Sequence, residues 1–287
     1  MKKLITILLI LCMMLPIMAS AEVFVDKHPP AEWDDKDIME VTVYRTGYSD
    51  AILLQNGDNT MLIDGGNPRF VNQLYAALTT KKKLHKLNYM FSTSPRSEHL
   101  DGLTALMKKF FTPDEFLSSV SKTYDKETQA KAIEVIDEMK IPYRQVEHEE
   151  TLELGGMTFT FYRWYSGNTP ASRTAIVRVQ FGDAKAMFLS DLSTNGQRYH
   201  CGTLDPATQK VDIVSAPNHG KDLFLNKFLD NLMPSYVFIT NYDNDKTKDI
   251  KRQLTKRDIK MGFSGEGTIH MATDGTDWYI YQTIKEF

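Results

Sequence analysis

The chain has 287 residues, with 34 Lys and Arg against 37 Asp and Glu and a formal charge of −3. An acidic balance of this kind argues against non-specific binding to phosphate backbones. Two cysteines exclude a disulfide framework, and the absence of a Gly/Ser-rich or Pro-rich linker points to one large domain rather than several.

The N-terminus reads as a secretion signal: Lys2 and Lys3, an apolar run from Leu4 to Met18, then Ala19-Ser20-Ala21 as an A-x-A cleavage site. The run is shorter than the roughly 20 residues of a spanning helix, so residues 1–21 are expected to be removed and the protein exported, with no stable membrane span. Lys2 and Lys3 leave with the signal and no acid does, which takes the formal charge from −3 to −5. Cys12 leaves too, and Cys201 becomes the only thiol. Residues 22–38, polar and proline-containing with Trp33 among acids, are expected to cover one edge of a domain spanning 39–287.

Alternation of apolar and polar residues predicts strands at 39–45, 51–55 and 60–63. Helical spacing follows at 69–79, then an apolar strand from Leu87 to Phe91 and a helix at 103–110. A third helix is predicted at 127–139, with Ala130, Ile133, Val135 and Ile136 as its apolar face and Pro142 ending it. Strands return at 143–146, 157–163, 174–181, 185–189 and 211–215. The last third alternates a helix near 222–231, a strand at 235–240, a charged helix near 246–256 and three short strands. The stretches 112–126 and 192–210 read as loops.

The most telling segment is the strand-to-helix turn Thr93-Ser94-Pro95-Arg96-Ser97-Glu98-His99-Leu100-Asp101-Gly102-Leu103. It resembles the His-x-His-x-Asp-His signature of the metallo-β-lactamase superfamily, with Ser94 and Arg96 at the two leading His positions, Glu98 at the Asp and His99 at the last His. Other segments appear in the order that superfamily uses. Val43 to Leu54, with Ser49-Asp50-Ala51, is similar to the opening of the DNA-uptake competence-protein branch. Met61-Leu62-Ile63-Asp64-Gly65-Gly66 follows it. Asn168 to Val179 resembles that branch's Asn-x-x-Ser strand, Met187 to Asp191 its Leu-Leu-Thr-Gly-Asp, and Ser215-Ala216-Pro217-Asn218-His219-Gly220 its Pro-His-His-Gly. Gly267 to His270 and Thr273-Asp274-Gly275 resemble the closing strand and turn.

This resemblance implies an α/β fold, a four-layered αβ/βα sandwich of two mixed sheets flanked by helices. It also implies a metal site reduced to its second pocket. Glu98, His99, Asp191 and His219 would ligate, with Glu98 or Asp191 orienting the attacking water. Asn218 and His219 compete for the last ligand position, since the superfamily pattern has two His residues there. Asp64 is expected to hydrogen-bond a ligand or the loop, and Ser94, Arg96 and Asn168 to lie around the site. The Arg96 guanidinium either pairs with Asp191 or Glu98 in place of a missing cation, or orients a substrate phosphate or carboxylate.

Two imidazoles and two carboxylates suit one divalent metal, Zn²⁺ foremost, with Fe or Mn as alternatives. The implied reaction is hydrolysis of an ester or phosphodiester, acting on a small molecule or cell-envelope substrate. The competing reading is a metal-free pseudoenzyme serving as a binding module, which the loss of both leading His residues favours. No G-x-S-x-G elbow and no Gly-rich loop after a strand offers a different chemistry. The pair His200-Cys201 reads as ordinary loop residues, as do His28, His85 and His148, while His270 could face either the site or solvent.

Overall fold

The structure, a computed structural model, describes residues 21–33, 36–164 and 170–284. In chain order its strands are β1 (Val23–Val25), β2 (Met39–Val43), β3 (Ile52–Asn56), β4 (Asn59–Ile63), β5 (Leu87–Ser92), β6 (Pro113–Ser118), β7 (Tyr143–Gln145) and β8 (Glu150–Leu154). They continue with β9 (Met157–Arg163), β10 (Ala175–Phe181), β11 (Ala184–Phe188), β12 (Ile213–Ser215), β13 (Tyr236–Ile239), β14 (Lys260–Phe263), β15 (Gly267–Thr273) and β16 (Trp278–Ile284). The α-helices are α1 (Val71–Ala76), α2 (Ser97–Met107), α3 (Glu127–Glu138), α4 (Thr194–Thr203), α5 (Pro206–Gln209), α6 (Asn226–Leu232) and α7 (Lys248–Thr255).

Among the described residues the strands form two mixed sheets. One runs β1-β16-β15-β2-β3-β4-β5-β6-β7 and the other β14-β13-β12-β11-β10-β9-β8. Period-2 patterning explains how they face each other: Met157, Phe159 and Phe161 of β9 and Val177 and Val179 of β10 point inward, against Val41, Phe91 and Trp278 of the first sheet. The outer face of the first sheet (Leu53, Met90, Phe116) packs on Leu103, Leu106 and Ile136 of α2 and α3. The outer face of the second (Val214, Val237, Ile239) packs on Phe228 and Leu254 of α6 and α7. The result is four layers, helix, sheet, sheet, helix.

Strands β4 to β7 are parallel to one another, as are β11 to β14. Parallel neighbours need crossover connections, and helices supply them. The carboxyl ends of both parallel sets thereby collect the turns that carry polar side chains. β1 joins the edge of the first sheet beside β16, and Trp33 is buried.

Several local readings are corrected. The helix expected at 103–110 begins at Ser97, which places Glu98 and His99 in its first turn. Residues 113–118 form a strand inside the first sheet, and 194–203 and 206–209 are helices, so neither stretch is an open loop. His200 and Cys201 accordingly lie on α4, with His200 fully buried. In α3, Ala130 is exposed while Gln129 is buried, and the apolar face is Ala132, Val135 and Ile136. The proposed cleavage segment up to Ser20 lies outside the described residues, as does Asn168. No helix among the described residues is long and apolar enough to cross a membrane.

Candidate metal centre

The turn after β4 and the start of α2 are fitted to each other at the backbone. A Cβ on Gly65 would lie 2.0 Å from the Leu103 nitrogen, and one on Gly102 would lie 1.9 Å from the Gly65 carbonyl oxygen. Only glycine permits that approach, which the Gly65 N–H completes by donating to the His99 carbonyl at 2.9 Å. The Asp-Gly-Gly and Asp-Gly-Leu segments thus lock Asp64 against His99.

Asp64 Oδ2 lies 2.8 Å from His99 Nδ1. The Thr93 N–H donates to Asp64 Oδ1 at 2.8 Å and its hydroxyl to Oδ2 at 2.6 Å. With Nδ1 engaged, His99 turns Nε2 to Asp191 Oδ2, 2.9 Å away. His219 mirrors this arrangement: Nδ1 is 2.9 Å from Thr240 Oγ1 and 3.4 Å from Asp50 Oδ1, and Nε2 is 3.4 Å from Asp191 Oδ1. The two imidazoles stack with centroids 5.4 Å apart. His219, not Asn218, therefore presents its ring to the cluster; the Asn218 amide donates to Asp222 instead.

His99 Nε2, His219 Nε2 and both carboxylate oxygens of Asp191 are buried, yet none makes a hydrogen bond. Their separations are short enough for charge attraction, but their directions are not those of donor and acceptor. Buried polar atoms are seldom left this way, and four converging together make a cradle with the donor chemistry of a metal site.

Glu98 reaches the same place: Glu98, His99 and Asp191 can offer one donor atom each within 4.8 Å of one another, and so can Asp50, His99 and His219. Because Asp64 and Thr240 occupy the Nδ1 atoms, the Nε2 side with Asp191 is the open one, and Asp50 supports His219 from behind. Asp50 is not among the site residues that the sequence suggests, although it lies in the Ser49-Asp50-Ala51 segment that matches the branch's opening. Thr93 and Ser190, which lie inside the matched segments without a role assigned to them, and Thr240, which lies in none, are three more polar partners.

Arg96 lies over the cluster. Its guanidinium is 3.0 Å from Asp191 Oδ2 and 2.5 Å from Glu98 Oε1, with the Arg96 side chain 34% exposed and that of Asp191 1%. Ser94 is buried and its hydroxyl is unbonded. His270 faces away from the core and stacks on Tyr281.

Four carboxylates (Asp50, Asp64, Glu98, Asp191) against one guanidinium leave three negative charges when both imidazoles are neutral and one when both are protonated. Burial pulls the His219 pKa down, but Asp50 and Asp191 more than offset it and push it up to about 9. Burial likewise opposes protonation of His99, yet Asp191 and Asp64 hold it well above the ordinary range. Burial works against ionisation of Asp191 and Asp50; His99 and His219 nevertheless keep Asp191 well below the usual carboxylate range, and the same two rings lower Asp50. Burial prevails at Asp64, whose pKa is raised. The pocket is short of positive charge, as a cation site should be.

The site is also strained. Asp64 (φ 57°), Ser190 (50°), Asn218 (48°) and His219 (56°) all adopt left-handed backbone, which glycine accepts freely, Asn and Asp at modest cost and other residues with more strain. Tertiary bonds hold them there: the Asn218 N–H donates to the Ser190 carbonyl at 2.8 Å, and the Asn241 amide to the His219 carbonyl at 3.0 Å.

No family model matches the chain, and no curated protein is similar to it in sequence. Solved structures do resemble it. A protein from Parabacteroides distasonis ATCC 8503, described as a "putative metal-dependent hydrolase", is 14% identical and aligns over 79% of this chain and 94% of its own, with a TM-score of 0.50. CmlA, a diiron β-hydroxylase from Streptomyces venezuelae, is 13% identical over 82% of this chain at a TM-score of 0.51; this chain covers only 53% of it. The metallo-β-lactamase fold protein YhfI from Bacillus subtilis is 14% identical over 78% of this chain and 96% of its own, at 0.49. At such identities the likeness is one of fold, and the resemblance to the competence branch rests on sequence motifs alone. Two mixed sheets packed face to face between helices, with their polar cluster at the strand ends, make the four-layered αβ/βα sandwich that the sequence motifs imply, and the solved structures matched at a TM-score of 0.50 or above share that fold.

Proposed function

We propose that the protein is an exported hydrolase that holds one divalent ion and cleaves an ester or phosphodiester in a small-molecule or cell-envelope substrate. The observation that carries this reading is the convergence of four buried, unbonded donor atoms from His99, His219 and Asp191, with Glu98 adjacent. Two imidazoles and two carboxylates fit Zn²⁺ foremost, and Fe or Mn as alternatives. Bound there, such an ion lowers the pKa of a water towards neutrality and polarises the scissile carbonyl or phosphoryl group.

The chain's own residues prepare the rest. Asp64, backed by Thr93, fixes the orientation and tautomer of His99, leaving Nε2 free to ligate. Thr240 and Asp50 do the same for His219. Asp191 or Glu98 accepts a hydrogen bond from the attacking water and aligns it. The acidic balance and lack of a basic patch argue against nucleic acid as substrate.

Arg96 favours one second reading. A guanidinium already paired with Asp191 and Glu98 would suit a metal-free binding module. Elemental analysis separates the two. The mature protein, purified without chelator or added metal, is expected to carry about one equivalent of Zn, Fe or Mn, lost in a His99→Ala/His219→Ala double variant. A folded wild type without metal, even after incubation with Zn²⁺, would leave only the binding module.

A further inference from the structure

We propose that Arg96 is a two-position side chain: it neutralises Glu98 and Asp191 in the ion-free protein and, displaced when those carboxylates engage an ion, binds the oxyanion of the substrate. This rests on the metal-site reading above and adds a substrate class to it, esters or phosphodiesters that carry a phosphate or carboxylate group at or beside the cleaved bond.

The argument starts from what Arg96 holds. Its two terminal nitrogens reach two different carboxylates, 3.0 Å from Asp191 Oδ2 and 2.5 Å from Glu98 Oε1. Asp191 Oδ2 is also the oxygen 2.9 Å from His99 Nε2. A cation drawing on Asp191, His99 and Glu98 would lie against Asp191 Oδ2 and Glu98 Oε1, the two oxygens beside which the guanidinium charge now sits. Two positive charges cannot share them at such distances without strong repulsion.

Arg96 is also the member of the cluster able to leave. His99, His219, Asp64, Asp50 and Asp191 are all buried, whereas the Arg96 side chain is one-third exposed, at 34%, and Glu98 at 24%. Arg96 occupies the position before the first turn of α2 with extended backbone (φ −90°, ψ 153°) and caps no helix N–H, so no local bond ties its side chain to the helix start. Once released, it keeps its charge at the mouth of a site that has taken up an ion. A phosphate or carboxylate matches its fork. Ion and oxyanion binding would then be coupled, each strengthening the other by the same factor.

Calorimetric titration of the full mature chain with Mn²⁺, then of the Mn²⁺-loaded protein with inorganic phosphate, tests this in wild type and Arg96→Gln. The variant should take up one Mn²⁺ at least roughly tenfold more tightly, as expected for loss of a charge-assisted pair that competes with the ion. Its loaded form should bind phosphate at least roughly tenfold more weakly than loaded wild type. Equal or weaker Mn²⁺ binding by the variant, or unchanged phosphate affinity, would overturn the proposal while leaving the metal site intact. Absence of both Mn²⁺ and Zn²⁺ binding in both proteins would remove the metal site as well. Thermal denaturation of the ion-free variant keeps the pairing itself testable: Arg96→Gln should melt lower than wild type, because Glu98 and Asp191 are left facing each other, and an unchanged melting temperature would count against it.

Discussion

Gly102→Ala sets two opposed effects against each other. Gly102 lies inside α2, where alanine is intrinsically preferred by about 1 kcal/mol. Against that, the added methyl would meet the Gly65 carbonyl oxygen at 1.9 Å, its carbon at 2.3 Å and the Gly66 oxygen at 2.6 Å. All three are backbone atoms, so relief requires α2 to retreat from the Asp64 turn by more than about 1 Å to reach ordinary contact distance. Overpacking of this kind costs about 3 kcal/mol or more where the neighbour cannot rotate away. The steric effect should win by about 2 kcal/mol, and a domain of this size should melt roughly 4–8 °C lower. Retreat of α2 also separates His99 from Asp64, so the variant should bind Zn²⁺ more weakly. Circular dichroism melting and zinc titration measure both. A variant as stable as wild type or more so would mean that helix propensity prevails and that the close approach of α2 to the Asp64 turn is not the constraint described.

Ion-free stability should depend on pH with a definite sign. His219, raised to about 9 from an ordinary 6.5, contributes stability that is complete below pH 6.5 and is lost as pH rises through about 9, at most roughly 3 kcal/mol. The urea midpoint of the chelated protein should therefore fall between pH 6.5 and 9, and a flat or rising midpoint would contradict the charge network. Ion affinity should run the other way, rising over the same interval as the imidazoles lose the protons that compete with the ion. Asp50→Asn removes the carboxylate 3.4 Å from His219 Nδ1 and should weaken Zn²⁺ binding by about 10- to 100-fold without unfolding the chain; competition with a chromophoric chelator measures this, and unchanged affinity would strip Asp50 of its supporting role.

Much of the fold was legible because the inward faces repeat every second residue. Met157 to Arg163 shows this, with apolar residues at 157, 159 and 161 alternating with threonines. β6 was not legible, since Pro113-Asp114-Glu115 opens it with residues poor in strand propensity, and only burial between β5 and β7 overrides them. The first turn of α2 was hidden because Arg96, at the position before it, provides no side-chain cap for the helix start. α4 was hidden by Gly196 and Gly202, which weaken a helical reading. At the site, the motif residues Asp64, His99, Asp191 and His219 do assemble. Asp50 lies in a matched segment without a role being readable from it, and Thr240 joins the cluster only through the register of the strand it follows, which no local pattern in the sequence records.

The left-handed residues of the site bear on how this protein could be engineered. Each non-glycine residue in that conformation costs roughly 1 kcal/mol or more, so replacement by glycine at Asp64, Ser190, Asn218 or His219 would relieve the backbone. At Asp64 and His219 the same change deletes a side chain that the cluster uses, and at Ser190 it deletes the hydroxyl 2.6 Å from Thr93 Oγ1. Thermal robustness and site geometry are set against each other at those three positions. At Asn218, whose amide reaches only to Asp222, glycine would leave the imidazole pair its side chains, but Asn tolerates left-handed backbone better than most residues, so little robustness is gained there.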